Sequence, residues 1–272
     1  GLVPLGLGGD EFAGPDGAYA LRWTAAHGLL EPSSLVSLAC ADSFEAFRDA
    51  LSGLACPGQN AVYADVEGAI GYQCTGRYPI RRAGDGTSPS PGWTPEHEWT
   101  GWIAFDDLPW SKDPERGWIV TANNRIHDEA YPYLIGRDFH ERFRAERIAE
   151  LIQEHGPGLD VEAMARIQMD TVSLPARPSL PRLLRTPAPD EDRAWALGLL
   201  ASWDADMRAD SAAAAVYQVW MGTIAARVLG AEDDPGTFSA YFTWREAFVC
   251  GALPRLLDAP PPGGGSWDEL LA

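Results

Sequence analysis

The sequence predicts an α+β protein in two parts, mixed over residues 1–156 and all-helical over 157–272, on three observations. AVYADV (61–66) and AIGYQCTG (69–76) are β-rich runs on either side of Glu67-Gly68, the pattern of a hairpin. FHERFRAERIAELIQEHG (139–156) places Phe139, Phe143, Ile148, Leu151 and Ile152 on one apolar stripe and ends on a glycine suited to a helix C′ position. Beyond Gly156 the texture changes to helical runs broken by prolines.

The remaining elements follow in order. Residues 1–30 are glycine-rich, with a short strand-like run in AYALRWTA (18–25). SFEAFRDALSGL (43–54) sets Phe44, Phe47, Ala50, Leu51 and Leu54 at helical spacing behind Ser43, a suitable N-cap. Residues 81–117 form a long irregular stretch rich in Pro and Gly that carries four Trp, the kind of segment that wraps over a scaffold. GWIVTANN (117–124) reads as a strand. Helices are expected over 161–170, 191–204 and 211–230, and APPPGGGSWDELLA (259–272) reads as a linker into a further helix, as if cut in mid-protein.

Composition narrows the function classes. At 272 residues and 46% apolar the chain can bury a sizeable core. A net charge of -18 leaves no basic stripe for phosphates, so neither a nucleic acid nor an anionic membrane surface is an expected partner. No apolar run approaches the roughly 18 residues of a membrane span, and GLVPLGLGGDEF has no basic region of a signal peptide. Cys40, Cys56, Cys74 and Cys250 lack metal-ligand spacing, so no metal site is assigned to them; their disulfide state is open.

Few residues point to chemistry on their own. Of Glu96, His97 and Glu98 only the two glutamates share one side of an extended segment, and they suit a solvated loop or structural salt bridges better than a metal or acid/base cluster, although a tryptophan-rich carbohydrate-binding module or glycosidase would use such a pair. Asp106, Asp107 and Asp113 lack the EF-hand pattern, which favours loop solvation or capping over calcium. Trp93, Trp99, Trp102, Trp110 and Trp118 are expected to pin the long loop onto a core. The five histidines show no HExxH or triad context. Asn123 has two readings: a turn former at a strand end, or an oxyanion donor, whose uncharged amide offers two N–H groups.

The order of motifs adds a resemblance. PGQNAVYADVEGAIGYQCTGRYPIR (57–81), PSPGW (89–93), EWTGWIAFDDLP (98–109), GWIVTANNR (117–125), YPYLIGRDF (131–139), FRAERIAELI (143–152) and IQMDTVS (167–173), with SWDADMRADSAAAAVYQVW (202–220), together resemble the β-subunit of the penicillin acylase family of N-terminal-nucleophile (Ntn) hydrolases. The resemblance implies part of an αββα sandwich followed by a helical segment. It implies cleavage of linear amides, such as β-lactam side chains or acyl-homoserine lactones, by a Ser, Thr or Cys freed at a β-chain N-terminus through self-cleavage. The α-amino group of that residue serves as base, with an ordinary pKa of about 7.7 to 8. In the matched motifs the oxyanion asparagine falls on Asn123, and the arginine that supports the active site falls on Arg144; Asn124 is expected to shape the turn.

The chain also departs from that pattern. Gly1 has no side chain to attack with, and the nucleophile is expected on the order of a hundred residues upstream, so the chain alone is expected to be inactive. No catalytic cofactor is implied. Only a backbone carbonyl near Gly86 matches the family's structural calcium site, which makes calcium doubtful. The implied partners are a small-molecule amide, an α-subunit and the remainder of the β-subunit from one precursor, in a periplasmic or secreted location. A non-catalytic member of the same fold is the further alternative.

Overall fold

The computed structural model describes residues 2–5, 13–14 and 17–228, with side chains from 20 to 227. It separates into two compact units, residues 1–121 with 125–138, and residues 122–124 with 139–272.

In the first unit, β1 (Leu2–Leu5) and β2 (Ala13–Gly14) flank β3 (Gly17–Arg22), the strand expected from AYALRWTA. Helix α1 (Pro32–Ala39) precedes α2 (Phe44–Leu51), where Ser43 Oγ accepts the Ala46 N–H at 3.3 Å as the expected N-cap. Phe44, Ala50 and Leu51 are the buried face of α2. The hairpin pairs β4 (Asn60–Ala64) with β5 (Ile70–Cys74) in antiparallel register, Asn60 opposite Cys74. Its turn is closed by Asp65, whose Oδ1 accepts the Ala69 N–H at 2.8 Å, while Gly68 takes a φ of 94°. Gly71 in β5 lies under the Phe44 ring, and a Cβ there would stand 2.2 Å from it, so α2 can seat on the sheet only over a glycine.

GWIVTANN is not a strand. A strand needs a ladder partner, and the second edge of β5 is taken instead by β8 (Trp110–Lys112), out of the stretch expected to be irregular. That stretch also supplies β7 (Trp99–Trp102), which pairs with β6 (Pro79–Arg81) across a bulge at Ile80/Arg81. Ile119 of GWIVTANN packs against the core of Tyr72, Cys74, Ile103 and Leu108, so its apolar character serves packing, not pairing.

The second unit is helical in its described part: α3 (Phe143–His155), α4 (Val161–Gln168), α5 (Ala176–Leu183), α6 (Glu191–Ala201) and α7 (Ala212–Val228). α3 begins four residues later than its apolar stripe does and ends at Gly156, with φ 73°. α5 was hidden in the sequence by Pro178 and Pro181, and α1 by its brevity. Leu183, Leu200, Met221, Ile224 and Ala225 form a dry core joining α5, α6 and α7. Cys250 and the expected linker at 259–272 lie outside the described residues. No described helix is long and apolar enough to cross a membrane.

Candidate active site

Asn123 takes a left-handed backbone, with φ 61°. Asparagine tolerates that region better than most side chains with a Cβ. Three hydrogen bonds hold the turn: Ala122 N–H to Asn124 Oδ1 (3.1 Å), His140 N–H to Asn123 O (2.8 Å), and Arg144 Nη2 to Ala122 O (2.7 Å). Both asparagines therefore shape the turn, Asn123 through its backbone and Asn124 through its side chain. A turn role and a donor role at position 123 are compatible, because the first uses the main chain and the second the amide.

Arg144, in the first turn of α3, also donates from Nη2 to Asn123 Oδ1 at 3.0 Å. A guanidinium has donors only, so the amide atom facing it must be the oxygen. The Asn123 NH2 is thereby turned away from Arg144, on a residue that is itself exposed. One nitrogen makes both Arg144 contacts, so Arg144 joins the carbonyl of Ala122 to the side chain of Asn123. These residues belong to one compact unit, although Asn123 and Arg144 are 21 positions apart in sequence.

One helical turn on, Arg147 donates from Nε to both Asp170 oxygens, at 2.9 and 3.0 Å, and from Nη1 to Glu150 at 3.1 Å. Arg177 reaches the same Glu150. The Asp170 hydrogen bond is the main cause holding the Arg147 pKa above its ordinary value. Sequence reasoning missed this group, although the i, i+3 spacing of Arg144 and Arg147 already places them on neighbouring positions of one helix surface.

The other candidates resolve into structure. Glu98 pairs with Arg22, and Glu96 lies in a 3-10 turn at Pro95–His97. Asp106 pairs with Arg48, Asp107 accepts from the Tyr133 hydroxyl, and Asp113 accepts the Ile70 N–H, so the three carboxylates serve three separate partners. The tryptophans divide: Trp99, Trp102 and Trp118 are half-buried and Trp110 lies against the buried Phe44 ring, as expected of residues that hold the loop down, whereas Trp93 stands apart. Trp93 is 87% exposed, and Trp99, Trp102, Trp110 and Trp118 carry arginines over their rings, Arg22 over Trp99 at 4.6 Å and Arg48 over Trp110 at 4.3 Å. Cys74 is buried, and desolvation pushes its thiol pKa up, which suits packing and not nucleophilic attack.

At Gly86, the one position matched to calcium, Arg81 Nη2 stands 2.9 Å from where a Cβ would be. The neighbouring Asp85 is engaged by the Thr87 N–H, the Thr87 hydroxyl and Arg137, and the Thr87 hydroxyl is the chief cause lowering its pKa. A guanidinium beside a committed carboxylate is a poor seat for a divalent cation.

The fold is that of the Ntn-hydrolases. It matches the thermostable penicillin G acylase of Alcaligenes faecalis with a TM-score of 0.67, over 88% of this chain and 49% of that one, at 22% identity. The chain belongs to the penicillin amidase family, whose family model matches residues 7–268. Among relatives, penicillin acylase 2 proenzyme of Pseudomonas sp. strain SE83 is 34% identical over 251 residues, and the acyl-homoserine lactone acylase QuiP of Pseudomonas fluorescens is 31% identical over 227. These matches cover 82% and 78% of the chain but only 30% and 27% of the relatives' own lengths.

Proposed function

We propose that this chain supplies the oxyanion-binding part of a linear-amide hydrolase (EC 3.5.1.-), with Asn123 as the side-chain donor. The observation that supports the reading is the Arg144 bond to Asn123 Oδ1, which engages the oxygen end of the amide and leaves the NH2 end facing elsewhere. When a nucleophile adds to the substrate carbonyl, charge develops on its oxygen, and a donor already aimed there costs no reorganisation. The guanidinium polarises the Asn123 amide through its oxygen, which strengthens the N–H groups as donors. Arg144 itself is the support: it holds the oxygen end of the Asn123 amide and the Ala122 carbonyl.

The nucleophile and its α-amino base belong to sequence outside residues 1–272, so the chain by itself turns over no amide. The α-subunit and the rest of the β-subunit are the partners, and the site is periplasmic or secreted, both on family grounds. No cofactor takes part. The reading of the substrate as a β-lactam side chain or an acyl-homoserine lactone rests on the activities in the two relatives' names.

The test is Asn123→Ala in the full-length protein, assayed with a chromogenic acyl anilide. The expected result is a fall in kcat of about 100- to 1,000-fold with little change in KM. An unchanged kcat would sink the reading. Parallel assays on a penicillin and an acyl-homoserine lactone then choose between the two substrate classes.

A further inference from the structure

The IQMDTVS stretch has no part in the chemistry just described, yet its aspartate is where the helix carrying Arg144 is fastened. Asp170 and Arg147 are both largely buried, with side chains 10% and 17% exposed. Two bonds from one Nε to two carboxylate oxygens fix Arg147 more tightly than a single contact would. Asp170 is itself anchored. The next residues pair with the backbone at 205–207: Met207 N–H to Thr171 O at 3.0 Å, and Ser173 N–H to Ala205 O at 2.8 Å, with Val172 bridging to Asp206. Ala205 belongs to the α5–α7 core, as does Ala176 just beyond Ser173.

A continuous set of contacts therefore runs from a dry core through Asp170 and Arg147 to α3, then through Arg144 to Asn123. All of it lies in one compact unit. The apolar stripe of α3 (Phe143, Ile148, Leu151 and Ile152) is half-buried and none of its residues is fully buried, so directional bonds add to what apolar packing does to fix its rotation. A small rotation of α3 would swing Arg144 away from Asn123 Oδ1 and release the amide.

We propose that Asp170 is a positioning residue: through Arg147 it fixes the rotation of α3, and so the direction in which Asn123 presents its N–H groups. This rests on the reading of Asn123 as the oxyanion donor.

The experiment is a double-mutant cycle in the full-length protein, with kcat and KM measured on a chromogenic acyl anilide. Asp170→Asn keeps the side-chain size but replaces one acceptor oxygen with a donor. It is expected to lower kcat by about tenfold with KM within about twofold. In the Asn123→Ala background the same change is expected to alter kcat by less than about twofold, because the group it positions is gone.

A tenfold loss that recurs in the Asn123→Ala background makes Asp170 a merely structural residue and overturns the inference. So does a folded Asp170→Asn enzyme with unchanged kcat. If Asn123→Ala itself leaves kcat unchanged, the oxyanion reading falls, and this inference falls with it; that result is separate from the other two. Should Asp170→Asn not fold, Arg147→Lys runs the same cycle, since it keeps the charge and removes the Nε donor. The same non-additivity is expected from it.

Discussion

Two helices of the second unit, α3 and α7, are held in place differently. α7 buries Tyr217, Met221, Ile224 and Ala225 against α5 and α6. α3 has no fully buried residue, its Phe143, Ile148, Leu151 and Ile152 being half-buried, and directional bonds add to its fixing: Arg144 to Ala122 and Asn123, Arg147 to Asp170 and Glu150. Apolar burial stabilises in proportion to area and is indifferent to small rotations. Hydrogen bonds between charged groups add less net stability but demand an angle. The helix buried in the core and the helix that carries Arg144 thus differ in how much of their fastening is directional.

The comparison can be broken first in the core. Leu200→Ala, at a position 1% exposed, is expected to destabilise by about 2–5 kcal/mol, read by denaturant unfolding of the full-length protein. The kcat of the molecules that remain folded should hold, since the α3 fixings are untouched. A matching loss of kcat at temperatures where the enzyme is folded would show that the two fastenings are not separable.

A second substitution sharpens the account of position 123. Asn123→Gly keeps a residue at ease with φ 61° but removes the amide, whereas Asn123→Ala removes both. Both should lose kcat to the same extent, with the glycine variant more stable than the alanine variant by about 1 kcal/mol. Equal thermal stability would mean that the turn tolerates alanine and the left-handed backbone places no demand on sequence.

The smallest effect concerns the first unit. Asp65 has its pKa lowered, chiefly by the Ala69 N–H, and Glu45 has its pKa lowered, chiefly by Lys112. Carboxylates with depressed folded-state pKa values add stability that is present above the unfolded value of about 4 and is lost as pH falls through the folded values. Glu45 is exposed and Asp65 only half-buried, so Tm should fall only slightly as pH drops below about 4, and less so in Asp65→Asn.

Much of this was legible in the sequence. The Ser43 cap, the apolar face of α2, the β4–β5 hairpin, the Gly156 stop of α3 and most of α4, α6 and α7 follow from periodicity and local backbone preference, which neighbouring residues carry between them. Asn123 and Arg144 were singled out by motif order.

The rest depended on residues that are distant in the chain. Which run would fill the second edge of β5 was decided in favour of Trp110–Lys112 over the more apolar 117–124, because edge pairing is settled by what the tertiary structure brings alongside. The left-handed backbone of Asn123, the orientation of its amide by Arg144, and the Asp170–Arg147 bond spanning 23 positions are likewise tertiary outcomes. Local sterics determine whether a residue can adopt a conformation, and only the packed chain determines which partner makes it do so.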